Sequence, residues 1–147
     1  MGQQQLLLLV LSTVIVGLAT VAGIQAFSEN QAQATEDALV QRAINIGNDI
    51  LAAHNEPSQF GGVNLDASST PAPKVVGKAA GYTDDDDGTS GFQISADGAG
   101  DNAACSIGTS TGQATVNCGS NGATGGNQTV TVTVDPDGDP KVSTSGV

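Results

Sequence analysis

The stretch Leu6 to Ile24 carries no charged residue, and only Ser12, Thr13 and Thr20 interrupt its apolar character. Its nineteen residues, wound as an α-helix, reach about 29 Å, close to the thickness of a bilayer's hydrocarbon core. The three hydroxyls are tolerable there, because a helical Ser or Thr can bond back to a carbonyl one turn earlier. A helix this apolar is stable only in lipid or against other apolar surfaces. Beyond the run the chain is polar, acidic and poor in aromatics. It therefore reads as a tail suited to an apolar setting and a body suited to water.

The helical signal outlasts the apolar run. Between Ser28 and Asn55 there is no Pro and one Gly, Gly47, and good helix formers are common. Leu39, Ala43, Ile46, Ile50 and Ala53 step by four, three, four and three, which places them along one face. Glu29, Glu36, Asp37, Gln41, Arg42 and Asp49 fall largely elsewhere on the helix. Asn55-Glu56-Pro57 is a stop, since a residue before Pro is pushed out of the helical region. One helix from about Gln3 to His54 is expected, on the order of 78 Å long. Its Leu39, Ala43, Ile46 and Ile50 form a stripe that docks a C-terminal head.

That head has little to build a core from. The 93 residues from Asn55 to Val147 hold fourteen large aliphatic or Phe side chains, plus Tyr82. This is close to the composition at which chains stay disordered, and such domains lean on a disulfide, a metal or neighbouring subunits. Cys105 and Cys118, the only cysteines, fit a disulfide better than a metal half-site or a pair of buried thiols. They flank Gly108-Thr109-Ser110-Thr111-Gly112, and a hairpin through that turn would bring them opposite each other. A crosslink closing so short a loop is worth about 3 kcal/mol.

The remaining segments read as short strands. Gly91 to Ser95 and Thr115 to Asn117 alternate, and Thr129 to Val134 keeps a strict two-residue period with Val on one face and Thr on the other. Asp135-Pro136-Asp137-Gly138 supplies turn chemistry, and Lys141-Val142-Ser143 returns as an edge strand. Gly61-Gly62, Ser68 to Thr70, Pro71 and Pro73 mark a connection with little regular structure. The expected class is α+β, in three parts: an apolar helix over 1–27, its amphipathic continuation over 28–55, and a β-rich antiparallel head over 56–147.

Fifteen acids against four bases give a net charge of −11. The bases, Arg42, Lys74, Lys78 and Lys141, are scattered, so no patch could neutralise a phosphate backbone and no nucleic-acid contact is expected. Such acidity suits either a soluble surface in general or one facing high salt, as in a halophile, where self-repulsion is screened. No Lys or Arg precedes the apolar run, which is also longer than a signal peptide's apolar region, so the segment reads as retained in the cytoplasmic membrane. The acidic body argues for an N-terminus inside and a C-terminus outside.

Groups that could carry chemistry are few. His54, the one histidine, falls at the predicted helix end, where a cation or a C-terminal hydrogen bond is favourable. Asp84 to Asp87 followed by Gly88 fails the EF-hand spacing, because Thr83 would hold its first ligand position and Ile94 its last. Asp135, Asp137 and Asp139 alternate in a loop as in several calcium sites, but no distal Glu completes them, and a solvated acidic turn accounts for them equally. Calcium is thus a weak candidate and no other cofactor is indicated. Asn127-Gln128-Thr129 is a formal glycosylation sequon. With no Ser/His/Asp set, phosphate loop or metal-spaced Cys/His group, an enzyme is not expected.

A long N-terminal helix, half lipid-compatible and half amphipathic, ahead of a small disulfide-bearing β head, resembles type IV pilin subunits. The residues carrying the likeness lie in Met1 to Asn55: Leu6-Leu7-Leu8-Leu9-Val10-Leu11, then Val14-Ile15-Val16-Gly17, then Ile24 and Phe27. The opening Met1 to Leu8 also resembles a group of uncharacterised pilin-like bacterial proteins. Typical pilins have a short basic leader cut after Gly; here no base precedes the run, and Gly2-Gln3 is a minimal version of that site. Pilins also place a Glu near the mature start to pair with a neighbour's terminal amine, and Gln5 takes that place if the chain is numbered from its mature end. Gln hydrogen-bonds but cannot neutralise an ammonium, so either the glutamines share the terminus among neighbours or the amine is modified.

The resemblance implies a structural subunit of an extracellular filament, inserted in the membrane before assembly and handled by pilus machinery there. Copies would pack through Leu6, Leu7, Leu9, Val10, Val14, Ile15, Gly17, Leu18, Val21, Ile24 and Phe27, with Gln5 as the N-terminal polar contact. A minor pilin or pseudopilin is a variant of this reading. The rival is a single-pass anchored surface protein that binds a partner and never polymerises. A plain anchor needs no amphipathic continuation beyond Phe27, and that continuation favours the filament.

Overall fold

The computed structural model describes residues 2–66, 68, 70–84, 92–123, 126 and 129–146. Helix α1 spans Gly2–Asn55 without a break. The chain divides into two compact units, Met1–Gln33 and Ala34–Val147, so the division falls inside α1, a short way beyond Phe27. Asn55 closes the helix by donating from Nδ2 to the carbonyl of Leu51 at 2.8 Å.

Within the second unit, α1 contributes Leu39, Ala43, Ile46, Gly47, Ile50 and Ala53 to the buried interior. The four residues of the predicted stripe, Leu39, Ala43, Ile46 and Ile50, have no exposed surface at all. Three-and-four spacing is the reason: it keeps one face apolar through four turns while the charges fall elsewhere.

The fold is α+β, as the alternating segments imply. Strands β1 (Phe92–Ser95), β2 (Ala104–Ser110), β3 (Gln113–Gly119), β4 (Thr129–Val134) and β5 (Val142–Ser145) form one sheet in sequence order. All four pairings are antiparallel. Alternation decides which side chains are covered. Cys105, Ile107, Ala114, Val116, Cys118, Val130, Val132 and Val134 point into the core, together with Phe92 and Ile94. At Gly47 the helix approaches the sheet so closely that a Cβ would lie 3.1 Å from Val132 Cγ1 and 3.4 Å from Val134 Cγ2.

Two expectations are corrected. The connection after α1 is not wholly irregular: a 3-10 turn covers Ser58–Phe60, just before Gly61-Gly62, and a second helix, α2, covers Pro73–Ala79. Pro73 starts α2, where the missing N–H costs nothing, and Gly77 lets it lie directly on the Phe92 ring. The hairpin turn is also tighter than the five residues Gly108 to Gly112. Gly108, Thr109 and Ser110 belong to β2, Ser110 pairs with Gln113, and Thr111-Gly112 alone makes the bend. Gly112 has φ 77°, the left-handed region that glycine enters without strain.

Candidate functional site

The first unit presents an apolar surface that nothing within it covers. From Leu6 to Phe27 every large apolar side chain is between 52% and 70% exposed. The polar groups of this stretch are satisfied inside the helix. Ser12 Oγ donates to the Leu9 carbonyl at 2.8 Å, Thr13 Oγ1 to Val10 at 2.9 Å and Thr20 Oγ1 to Gly17 at 2.8 Å. An environment without water therefore meets no unpaired hydroxyl there. At Gly17 and Gly23 an added Cβ would meet only open space, so these positions are low points between large side chains. Gln5 is exposed in the first turn. By length and composition α1 is able to cross a membrane, a property that a signal sequence shares.

In the second unit the two cysteines form the expected disulfide. Cys105 and Cys118 stand directly opposite in the β2–β3 register with Cα atoms 4.0 Å apart, and both are fully buried. Antiparallel partners approach this closely at the positions that exchange no backbone hydrogen bonds. The crosslink thus ties the two strands from the core side, beside Ile107 and Val116.

The acidic loop after β4 is engaged in its own turn. Asp135 accepts from the Asp137 N–H at 3.2 Å through Oδ1, and from Gln113 Nε2 at 2.7 Å through Oδ2. The Gly138 N–H is bonded to the Asp135 carbonyl. Among the described residues no group of three or more His, Cys, Asp or Glu is placed to hold a metal ion. Of the three alternating acids, Asp135 has a carboxylate that braces its own turn. Asp84 accepts the Gln93 N–H at 3.1 Å and pairs with Lys74 Nζ at 3.1 Å, tying the α2 segment to β1. Asp85 to Asp87 and the sequon residues Asn127 and Gln128 lie outside the described residues.

His54 occupies the last turn of α1. Its Nδ1 accepts the Leu65 N–H at 3.2 Å, so the ring fastens the returning chain to the end of the helix.

One cluster had no sequence signal. The Arg42 guanidinium lies over the Tyr82 ring, 5.5 Å from its centroid, and the Tyr82 hydroxyl donates to Asp49 Oδ2. Burial first, and then the hydrogen bond to Asp49 and its charge, push the Tyr82 phenol up to about 12, with Arg42 pulling the other way. Arg42 and Asp49 are two helical turns apart on α1, a spacing visible in the sequence, but nothing local connects them to a tyrosine beyond α2.

No protein-family model, curated protein or solved structure matches this chain.

Proposed function

We propose that the protein is the structural subunit of an extracellular, type IV pilus-like filament, polymerising through the apolar half of α1. One observation carries the reading. A single helix supplies both a lipid-compatible segment whose large side chains are all exposed and, further along, the docking stripe of a folded head. A simple anchor has no use for the second part.

The mechanism is exchange of one apolar surrounding for another. Burying a large aliphatic side chain away from water is worth about 1.5–3 kcal/mol, so the exposed run never faces water. In lipid it is solvated already, and leaving lipid for a bundle of like helices brings no further hydrophobic gain. Packing must decide instead, through close approach at small residues. Gly17, Ala19, Ala22 and Gly23 supply these within the apolar run, between Val14, Ile15, Leu18, Val21 and Ile24. Transfer from membrane to filament is then driven by assembly machinery in the membrane, and the acidic heads coat the outside and keep filaments apart. The role is structural and not catalytic.

Electron microscopy of material sheared from cells, with mass spectrometry of the same fraction, tests this. Thin uniform filaments dominated by this chain are expected. Its recovery only in the membrane fraction, without filaments, would favour the anchored binding protein.

A further inference from the structure

The chain carries four bases, and only Arg42 lies on α1. Its side chain is held in place without being neutralised. The guanidinium stacks on Tyr82, which Asp49 fixes from beyond the ring. Its Nε is buried and, among the described residues, has no hydrogen-bond partner. Among those residues Arg42 also forms no ion pair, in a chain with fifteen acids. A guanidinium aligned by stacking and left without a carboxylate has already lost the side-chain freedom that pairing costs.

Helical geometry places a matching acid on the opposite flank. At 3.6 residues per turn, Arg42 lies about 60° to one side of the buried stripe centred on Leu39, Ile46 and Ile50, and Glu36 about 60° to the other. Glu36 is half-buried and, among the described residues, likewise forms no ion pair. One copy cannot join the two across its own buried face. A neighbour lying alongside can, because head-to-tail packing brings one flank of a helix against the opposite flank of the next.

Resting on the filament reading, we propose that Arg42 of each subunit pairs with Glu36 of the adjacent copy, and that this ion pair sets the axial stagger between neighbours. The six intervening steps along α1 correspond to about 9 Å, so adjacent parallel copies are displaced by roughly that amount, within side-chain reach. Close charge pairs at interfaces also govern register and reject wrong alignments. The apolar run before Phe27 offers no such signal, since its uncharged side chains fit several alignments alike.

The test is charge reversal in the full chain, expressed in cells and read as filament number by electron microscopy. Glu36→Arg and Arg42→Glu are each expected to cut filament number about tenfold or more, and the double variant to restore it. Arg42→Gln, which keeps a polar side chain, controls for head folding and is expected to lose filaments while the melting temperature of the detergent-solubilised chain stays near wild type. Wild-type filament levels in Glu36→Arg, or a double variant no better than either single, overturn the pairing. Absence of filaments from the unmodified chain would overturn the filament reading itself, a separate result.

Discussion

The two units of this chain solve the same problem in opposite ways. In the unit from Ala34 to Val147, Leu39, Ile46, Ile50, Phe92, Val116 and Val132 are shut away from solvent. Among its described residues only Phe60 and Val75 are large and well exposed. In the unit from Met1 to Gln33, no large apolar side chain between Leu6 and Phe27 is covered. The difference is one of supply, not of helix propensity. The second unit owns a sheet to lay against its stripe, whereas the first holds no second element to cover its apolar run. The apolar run and the head core are therefore separable, and a substitution within the apolar run should leave the fold of the head intact.

Leu9→Asp probes that separation most severely. A charge at the centre of an apolar helix costs about 2.5–3.5 kcal/mol in membrane insertion, and it recurs in every subunit of a filament. Filaments should disappear while the melting temperature of the detergent-solubilised chain holds. Abundant normal filaments from this variant would refute a core built from the apolar run. The converse experiment is Cys118→Ser, which opens the crosslink between β2 and β3. A loss of about 3 kcal/mol is expected from the loop-closure term, enough to lower the melting temperature by about 10 °C or more in a domain of this size. The helical signal of the first unit should survive the head's melting. An unchanged melting temperature would show that the sheet does not depend on the crosslink.

How far the molecule was legible from its sequence depended on whether a signal repeats. The stripe from Leu39 to Ala53 recurs over four turns, and Thr129 to Val134 alternates over its whole length, so both elements could be read directly. Helix α2 could not, because a short segment with adjacent Val75 and Val76 and an internal Gly77 holds neither period long enough. The hairpin is legible but reads too wide, since Gly108 looks like a turn residue and only its pairing with Thr115 shows it to be strand. The apolar run was plain from composition alone. The Arg42–Tyr82–Asp49 cluster was invisible for the opposite reason: its tyrosine is brought in by tertiary packing, and no local pattern encodes that.

Gly77 offers a milder test of the head, and of why α2 needs glycine there. A Cβ at this position would run into the ring of Phe92, the largest fully buried side chain. Alanine would gain up to about 1 kcal/mol in helix propensity, but overpacking typically costs about 1–3 kcal/mol, and Phe92 has no exposed side toward which to move. Gly77→Ala should therefore lower the melting temperature by several degrees while filaments still form. A more stable variant would mean that α2 shifts on the sheet more easily than the contact implies.

The smallest effect is also the most local reporter. Tyr82 is the only tyrosine and the chain has no tryptophan, so phenolate absorbance follows one group. Its midpoint should lie near 12, raised from 10.0. A raised pKa means that the fold favours the protonated phenol. The stabilisation it contributes is complete below about pH 10 and is lost as pH climbs from there toward 12. Asp49→Asn removes the charge that opposes ionisation but leaves burial, the first cause, in place, so the midpoint should fall without returning to 10.0. Arg42→Gln should move it the other way, because the guanidinium favours the phenolate. Opposite shifts would confirm that both groups act on Tyr82 from their two sides. In Leu9→Asp the midpoint should not move at all, and a shift there would show that the two units are coupled after all.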